Sequence, residues 1–385
     1  MSRREARASC MPGLLGRVCG TLGIGPPRAS RPDQSTGSRP AIVIHAGAGN
    51  ILREKMSREE EESLRAGLHQ AAEAGYAVLA KGGAAVDAVE SAVRALEDNP
   101  LFNAGKGAVF NADGVNQLEA SLMDGQSGAA GAATLLTVVK NPVSLARKVM
   151  ESNVHVFLGG SGAEKYAKET GLDIVDPSYF WTRHRWEQHE RGYIRTSKTQ
   201  SLAGPSSSSS SCPSGTSTHA TCIGSDPDSD YSHLPLGTVG AVAIDVDGRL
   251  AAATSTGGMS NKWDGRIGDT PIIGAGTFAD KSVAVSATGA GEYFIRQGTA
   301  RYIASRVQLV AGETASQASQ AALREMKAMG GDGGVICIDA SGCLSMTFCS
   351  PGMYRACCSA STGHVPRVGI FGDETIAPDD THVEM

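Results

Sequence analysis

The chain has 385 residues, 41% hydrophobic and 19% charged, and a formal net charge of −5. That length suffices for a large buried core, and the mild acidity gives no electrostatic reason to expect nucleic acid or an anionic membrane as partner. No apolar run approaches the roughly 20 residues that cross a bilayer. The 48 glycines have no three-residue period and are nearly twice the usual share of about 7%, so they are assigned to turns and close backbone approach. Nine cysteines, an odd number without a signal peptide, fit a reduced, cytoplasmic compartment better than a disulfide framework. Cys337, Cys343, Cys349, Cys357 and Cys358 lack the paired spacing of a zinc site and read as core thiols in strands.

In chain order, residues 1–40 carry seven Arg against Glu5 and Asp33 and read as a disordered basic extension, with a transit peptide as the alternative. Ala41–His45 is a short β-branched run stopped by Ala46-Gly47-Ala48-Gly49, which predicts a strand ending in a turn. Ser57 with Glu60 makes a capping box. Leu64, Leu68, Ala72 and Leu79 then extend an amphipathic helix to Gly82-Gly83. Val86, Val89, Val93 and Leu96 predict a second helix. Residues 103–136 show no assignable pattern, and helices resume over Pro142–Ser152 and Glu164–Thr170. Residues 196–233, which include Ser206–Ser211 unbroken, hold almost nothing large and apolar and read as a disordered linker. Beyond it, Thr238–Asp245 and Leu250–Thr256 flank Asp247-Gly248 as a hairpin. Val283–Thr288 predicts a further strand, 292–310 and Ala315–Met329 predict helices, and Gly334–Asp339 with Cys343–Cys349 predicts a second hairpin. Strands, helices and strands in that order suggest a layered α+β architecture rather than a parallel doubly wound sheet.

The glycine loops do not make a nucleotide site. Thr288-Gly-Ala-Gly-Glu292 has Phe294 where a dinucleotide fingerprint needs its third Gly, and no phosphate-loop motif occurs. There is no G-x-S-x-G elbow or H-E-x-x-H helix. His45, between a strand and glycines, reads as a hydrogen-bonded structural histidine, and the carboxylates of 58–81 as a solvated helix face. The informative feature is positional: the linker runs into Leu236-Gly237-Thr238, and Thr238 opens the most strongly predicted strand. Scission of the Gly237–Thr238 bond would give Thr238 a free α-amine. Such amines titrate near about 7.7–8.0, so one residue would hold both nucleophile and base. An ordinary Thr beginning an ordinary strand explains the same residues without chemistry.

Gly237-Thr-Val-Gly-Ala-Val-Ala-Ile-Asp245, Ala253-Thr-Ser-Thr-Gly-Gly-Met259, Asn261-Lys-Trp-Asp-Gly-Arg-Ile-Gly-Asp269 and Thr288-Gly-Ala-Gly-Glu292 closely resemble the plant-type L-asparaginase/isoaspartyl peptidase family of N-terminal-nucleophile hydrolases. So do His45-Ala-Gly-Ala-Gly49, Asn99-Pro-Leu-Phe-Asn-Ala-Gly-Lys-Gly107 and Ser121-Leu-Met-Asp-Gly125. The resemblance spans about 41–180 and 234–375. It implies an α+β fold, a four-layer αββα sandwich, made as a precursor that cleaves itself between Gly237 and Thr238 into an α subunit (41–237) and a β subunit (238–385).

By the same resemblance Thr238 is the nucleophile toward L-asparagine and β-aspartyl dipeptides, and Thr256 orients its hydroxyl. Arg266 grips the substrate α-carboxylate and Asp269 the α-ammonium. Thr288, Gly289 and Gly291 line the pocket, and Asn103 with Thr288 supplies donors to the oxyanion. Taken without the resemblance, Arg266 and Asp269 would read as a surface ion pair. The family also implies no catalytic cofactor and a structural sodium held by backbone carbonyls of Leu96, Glu97, Asn99, Phe102, Ala104 and Lys106. It further implies a dimer of cleaved heterodimers, with small-molecule substrates and no nucleic-acid or membrane partner. The long serine-rich linker and the tail before Ala41 stand outside the family pattern. The alternatives are an uncleaved paralogue serving as a binding or assembly module and a glycosylasparaginase-like amidohydrolase.

Overall fold

Alternation along β1 (Ala41–Gly49) already defines two cores. Ala41 and Val43 face one side and Ile42 and Ile44 the other, all buried, because successive side chains of a strand point to opposite faces. The structure, a computed structural model, describes residues 40–202 and 237–383. The basic extension up to residue 39 and residues 203–236 of the serine-rich segment lie outside these.

Ser57 accepts from the Glu60 N–H at 3.1 Å and caps α1 (Arg58–Ala80). A glycine turn leads to α2 (Ala85–Glu97), and both helices lay their apolar faces on one side of a sheet. The stretch without a sequence pattern supplies β2 (Leu118–Asp124) and β3 (Ala130–Leu136). They follow α2 and precede α3 (Pro142–Ser152), β4 (Phe157–Gly159) and α4 (Gly160–Glu169). β2 is covered on both faces, so its side chains show no apolar–polar alternation. α5 (Arg183–Leu202) runs seven residues into the segment read as linker, so residues 196–202 are helical rather than irregular.

The second half begins with the predicted hairpin, β5 (Val239–Ile244) and β6 (Leu250–Thr256). It continues through β7 (Thr277–Ala279) and β8 (Val283–Gly289). The helix expected over 292–310 is two, α6 (Gly291–Gln297) and α7 (Thr299–Leu309), broken at Gly298, whose φ of 64° is left-handed. α8 (Ala315–Ala328) carries the Thr314–Gln317 capping box. β9 (Gly333–Asp339) and β10 (Leu344–Phe348) form the second hairpin, and β11 (Gly352–Ser359), β12 (Arg367–Phe371) and β13 (Asp379–His382) close the chain.

The strands form an eight-stranded sheet, β12-β11-β1-β5-β6-β2-β3-β4, and a five-stranded sheet, β13-β10-β9-β8-β7. β1, β5 and β6 pack face to face on β8 and β9, α1 to α3 cover the outer face of the first sheet, and α7 and α8 that of the second. This is the four-layer αββα sandwich. The expected turn at 46–49 is instead strand, with a bulge between His45 and Ala48 where Gly47 takes φ 122°. Such a bulge re-aims the side chain beside it, here His45. Among the described residues no helix is long and apolar enough to cross a membrane.

Candidate active site

The first strand of the hairpin begins one residue after Thr238, and register does the rest. β5 pairs Val239 with Ser255, so one step further back Thr238 stands opposite Thr256, and β2 places Glu119 opposite Thr256 in turn. Three adjacent strands therefore deliver Thr238, Thr256 and Glu119 at one level of the sheet. The Thr238 hydroxyl donates to Thr256 Oγ1 at 3.3 Å, and Thr256 Oγ1 accepts a second bond from the Gly258 N–H at 2.9 Å. Ser255, on the opposite face, donates to the fully buried carboxyl of Glu97 at 2.6 Å. That carboxyl also accepts from the Val143 N–H, and burial pushes it up to about 8.

Asn103 lies against the residue that precedes the nucleophile. A Cβ on Gly237 would stand 3.3 Å from Asn103 Cβ and 3.4 Å from the Ala46 carbonyl. The Asn103 amide is fixed at both ends, donating from Nδ2 to the Gly258 carbonyl at 2.7 Å and accepting from the Val109 N–H at 2.9 Å. Its second N–H stays available.

His45 holds the nucleophile's other side. Its Nδ1 lies 2.9 Å from the Thr238 carbonyl and its Nε2 2.9 Å from Ser286 Oγ. The carbonyl can only accept, so Nδ1 carries the proton and Nε2 accepts from Ser286. Complete burial drives the imidazole down to about 3, which keeps it neutral at any working pH. The contact passes beside Gly240, where a Cβ would clash with both His45 Nε2 and Ser286 Oγ. Ser286 bonds onward to Thr254 Oγ1 at 2.7 Å, and Thr277 and Ser121 extend this hydroxyl chain between the sheets. Thr288 lies two residues beyond Ser286 on the same face of β8. Among the described residues its Oγ1 is buried without a hydrogen-bond partner, so its proton is free for an added group.

The charged residues form a second cluster that meets the first at Gly258. A Cβ there would lie 2.8 Å from Lys262 Nζ and 3.4 Å from an Arg266 terminal nitrogen. Arg266 donates from Nε to Glu292 at 3.0 Å and pairs through a terminal nitrogen at 2.9 Å. Gly291 fits only because it has no side chain: a Cβ would come within 2.7 Å of Asp269 Oδ1 and 3.0 Å of Arg266. Asp269 is 3% exposed and its Oδ2 has no partner among the described residues. Desolvation lifts its carboxyl to about 7, against the opposing field of Arg266. Lys262, on the Gln117 carbonyl at 2.8 Å, is pulled down to about 8 by burial. Burial also raises Glu119, which accepts from the Gly268 N–H at 3.1 Å. A buried carboxylate oxygen without a donor costs about 1–3 kcal/mol, which an arriving ammonium would recover.

The structure thus gathers Gly237, Thr238, Thr256 and Asn103 around one point, and Arg266, Asp269 and Gly291 around a neighbouring one. Thr288 and Gly289 stand at the end of β8, where φ 147° at Gly289 lets the backbone pass Gly333. His45 is the hydrogen-bonded structural histidine that the sequence suggests, with the Thr238 carbonyl and Ser286 as its partners, whereas sequence reasoning passed over Ser286, Glu119, Lys262 and Glu292. The spacing of Ser286 and Thr288 on one strand face was a legible signal; the partners of Glu119 and Lys262 come from distant segments and left none.

The asparaginase family model matches residues 38–367. The isoaspartyl peptidase of Escherichia coli (strain K12) is 41% identical over 340 residues, covering 86% of this chain and 96% of its own. The isoaspartyl peptidase/L-asparaginase of Danio rerio is 37% identical over 349 residues, 89% of this chain and 99% of its own. That of Bos taurus is 36% identical over 339 residues, 88% and 98%. Matches of this length, on a four-layer sandwich whose two clusters sit where the motifs converge, show that the chain belongs to the asparaginase family of hydrolases.

Proposed function

We propose that the protein is a self-cleaving threonine hydrolase that converts L-asparagine to L-aspartate and ammonia and cleaves β-aspartyl dipeptides. The single observation that carries this reading is the Thr238 hydroxyl on Thr256 Oγ1, with Asn103 packed against Gly237 on the scissile side. In processing, the Thr238 hydroxyl adds to the Gly237 carbonyl carbon, the C–N bond breaks and the acyl group passes from nitrogen to oxygen. That break takes up the hydroxyl proton and frees the Thr238 amine; water then hydrolyses the ester, leaving Gly237 as a carboxylate and restoring the Thr238 hydroxyl.

In turnover that amine takes the hydroxyl proton as Oγ1 attacks the substrate side-chain carbonyl. Asn103 Nδ2 and Thr288 Oγ1 have donors to spare for the oxyanion. The proton passes to the leaving ammonia or peptide amine, and water releases aspartate from the ester. Neutral His45 takes no proton in this scheme; it holds the Thr238 carbonyl. Arg266 would take the α-carboxylate and Asp269 the α-ammonium, the buried, donor-less Oδ2 being the feature that asks for a cation.

A structural sodium on the carbonyls of Leu96, Glu97, Asn99, Phe102, Ala104 and Lys106 fits the same loop. A Cβ on Gly105 would clash with the Glu97 carbonyl, and one on Gly107 with those of Phe102 and Pro100, so the glycines keep a cradle of neutral oxygens open. Such a set suits a hard monovalent cation, which when bound would brace the loop carrying Asn103. Association into a dimer of cleaved heterodimers is supported by exposed Val154, Val156 and Phe157 next to the open sheet edge at β4. The five described cysteines, all unpaired, support a cytoplasmic location.

Denaturing electrophoresis with N-terminal sequencing, together with ammonia release from asparagine, tests the reading. A fragment beginning at Thr238 and ammonia production are expected; a chain that stays intact while active would overturn it.

A further inference from the structure

Arg185, in the first turn of α5, is 2% exposed, and a buried arginine is ordinarily matched by a carboxylate. Its hydrogen-bond acceptors among the described residues are the Gly107 carbonyl, from Nε at 2.8 Å, the Gln188 side-chain oxygen at 3.0 Å and the Leu101 carbonyl at 3.4 Å. All three are neutral. Burial lowers the guanidinium to about 10, so it is still a cation at neutral pH.

The two carbonyls flank Asn103, two residues before it and four after. A guanidinium is a rigid planar fork, so holding both carbonyls sets the span of the arch from which the Asn103 side chain projects. The helix that carries Arg185 is itself moored nearby. Trp186 packs edge-on against Phe110 with ring centroids 5.2 Å apart, and His189 bonds Asn261. The loop therefore carries on one side the carbonyls that Arg185 holds, and on the other the amide that reaches Gly258 and lies against Gly237.

We propose that Arg185 is a positioning residue for the hydrolysis, a built-in cation that fixes the loop bearing Asn103 relative to Thr238. This rests on the function proposed above. It predicts an effect on kcat rather than KM, because the substrate's two charged ends are assigned to Arg266 and Asp269, which lie on another loop.

The test uses full-length, self-processed protein, with kcat expressed per free Thr238 terminus. Arg185→Lys keeps the charge but cannot span two carbonyls, and about a tenfold fall in kcat is expected, KM for asparagine staying within about twofold. Arg185→Ala should lose more, about a hundredfold, and millimolar guanidinium ion should restore part of that loss in Arg185→Ala while leaving wild type unchanged. A lysine variant with wild-type kcat overturns the inference, as does a loss that falls on KM or a folded alanine variant indifferent to guanidinium. If Arg185→Ala does not fold, the lysine variant decides alone. If wild-type protein is intact and inactive, the proposed function falls first, a result distinct from an active wild type whose Arg185 variants behave normally.

Discussion

The two halves of the site are built from opposite materials. The groups set about Thr238, short of Glu119 on the far side of Thr256, are neutral: hydroxyls of Thr256, Thr288 and Ser286, the Asn103 amide, and an imidazole that burial keeps uncharged. Around Arg266 nearly every group is ionisable, with Asp269, Glu119, Glu292 and Lys262 crowded about one guanidinium. The neutral half is held by backbone register and hydrogen bonds, and under the proposed function its base would be the chain terminus that scission creates. The charged half is held by mutual compensation, so it can measure a zwitterion but is sensitive to pH. The chemistry and the recognition can therefore be broken separately.

The largest effect should come from the neutral half. Thr238→Ala is expected to abolish chain scission on gels and to lower ammonia release by at least about a thousandfold, since nucleophile and base vanish together. Loss of turnover with normal scission would contradict the double role. Asp269→Asn should act on the other half, lowering kcat/KM for asparagine by about a hundredfold through the lost pair with the α-ammonium, with initial rates showing the change mainly in KM.

Lesser effects sharpen the contrast. Because Asp269 lies near 7 in the free protein, its charged fraction falls as pH drops through that value. KM for asparagine should then rise on acidification below about 7, in a profile that Asp269→Asn flattens. His45→Gln should leave KM alone and lower kcat by about tenfold, as the Thr238 carbonyl and Ser286 lose one well-placed partner.

The smallest effect concerns Glu97 beneath the site. Its folded carboxyl lies at about 8 against an ordinary 4.5, so the folded state keeps a proton that the unfolded chain releases between those values. The stability it contributes is whole below 4.5 and is lost as pH rises through 8. The melting temperature of Glu97→Gln should decline less over that window.

Much of this was legible before any coordinates. The β5–β6 hairpin, the Ser57 N-cap, the Thr314–Gln317 capping box and the edges of α3 follow from local chemistry, a turn dipeptide, a cap or a proline at the first helical position, and each needs only its near neighbours. The strands β2 and β3 were not legible, because burial on both faces erases the alternation that marks a strand. Nor was the break in the helix after Gln297, where one glycine in an otherwise helical pattern takes a left-handed φ.

By itself, then, the sequence determined which residue types stand at the junction: a glycine, then a threonine, then a run that must be a strand, with an arginine and an aspartate three apart further on. Tertiary structure alone decided that His45 grips the Thr238 carbonyl, that Gly258 joins the two clusters and that Arg185 holds the loop of Asn103. Those partners are 193, 155 and 78 or more residues apart in their respective hydrogen bonds. No local pattern encodes such contacts, since they exist only once two sheets have packed and a helix has closed over the loop.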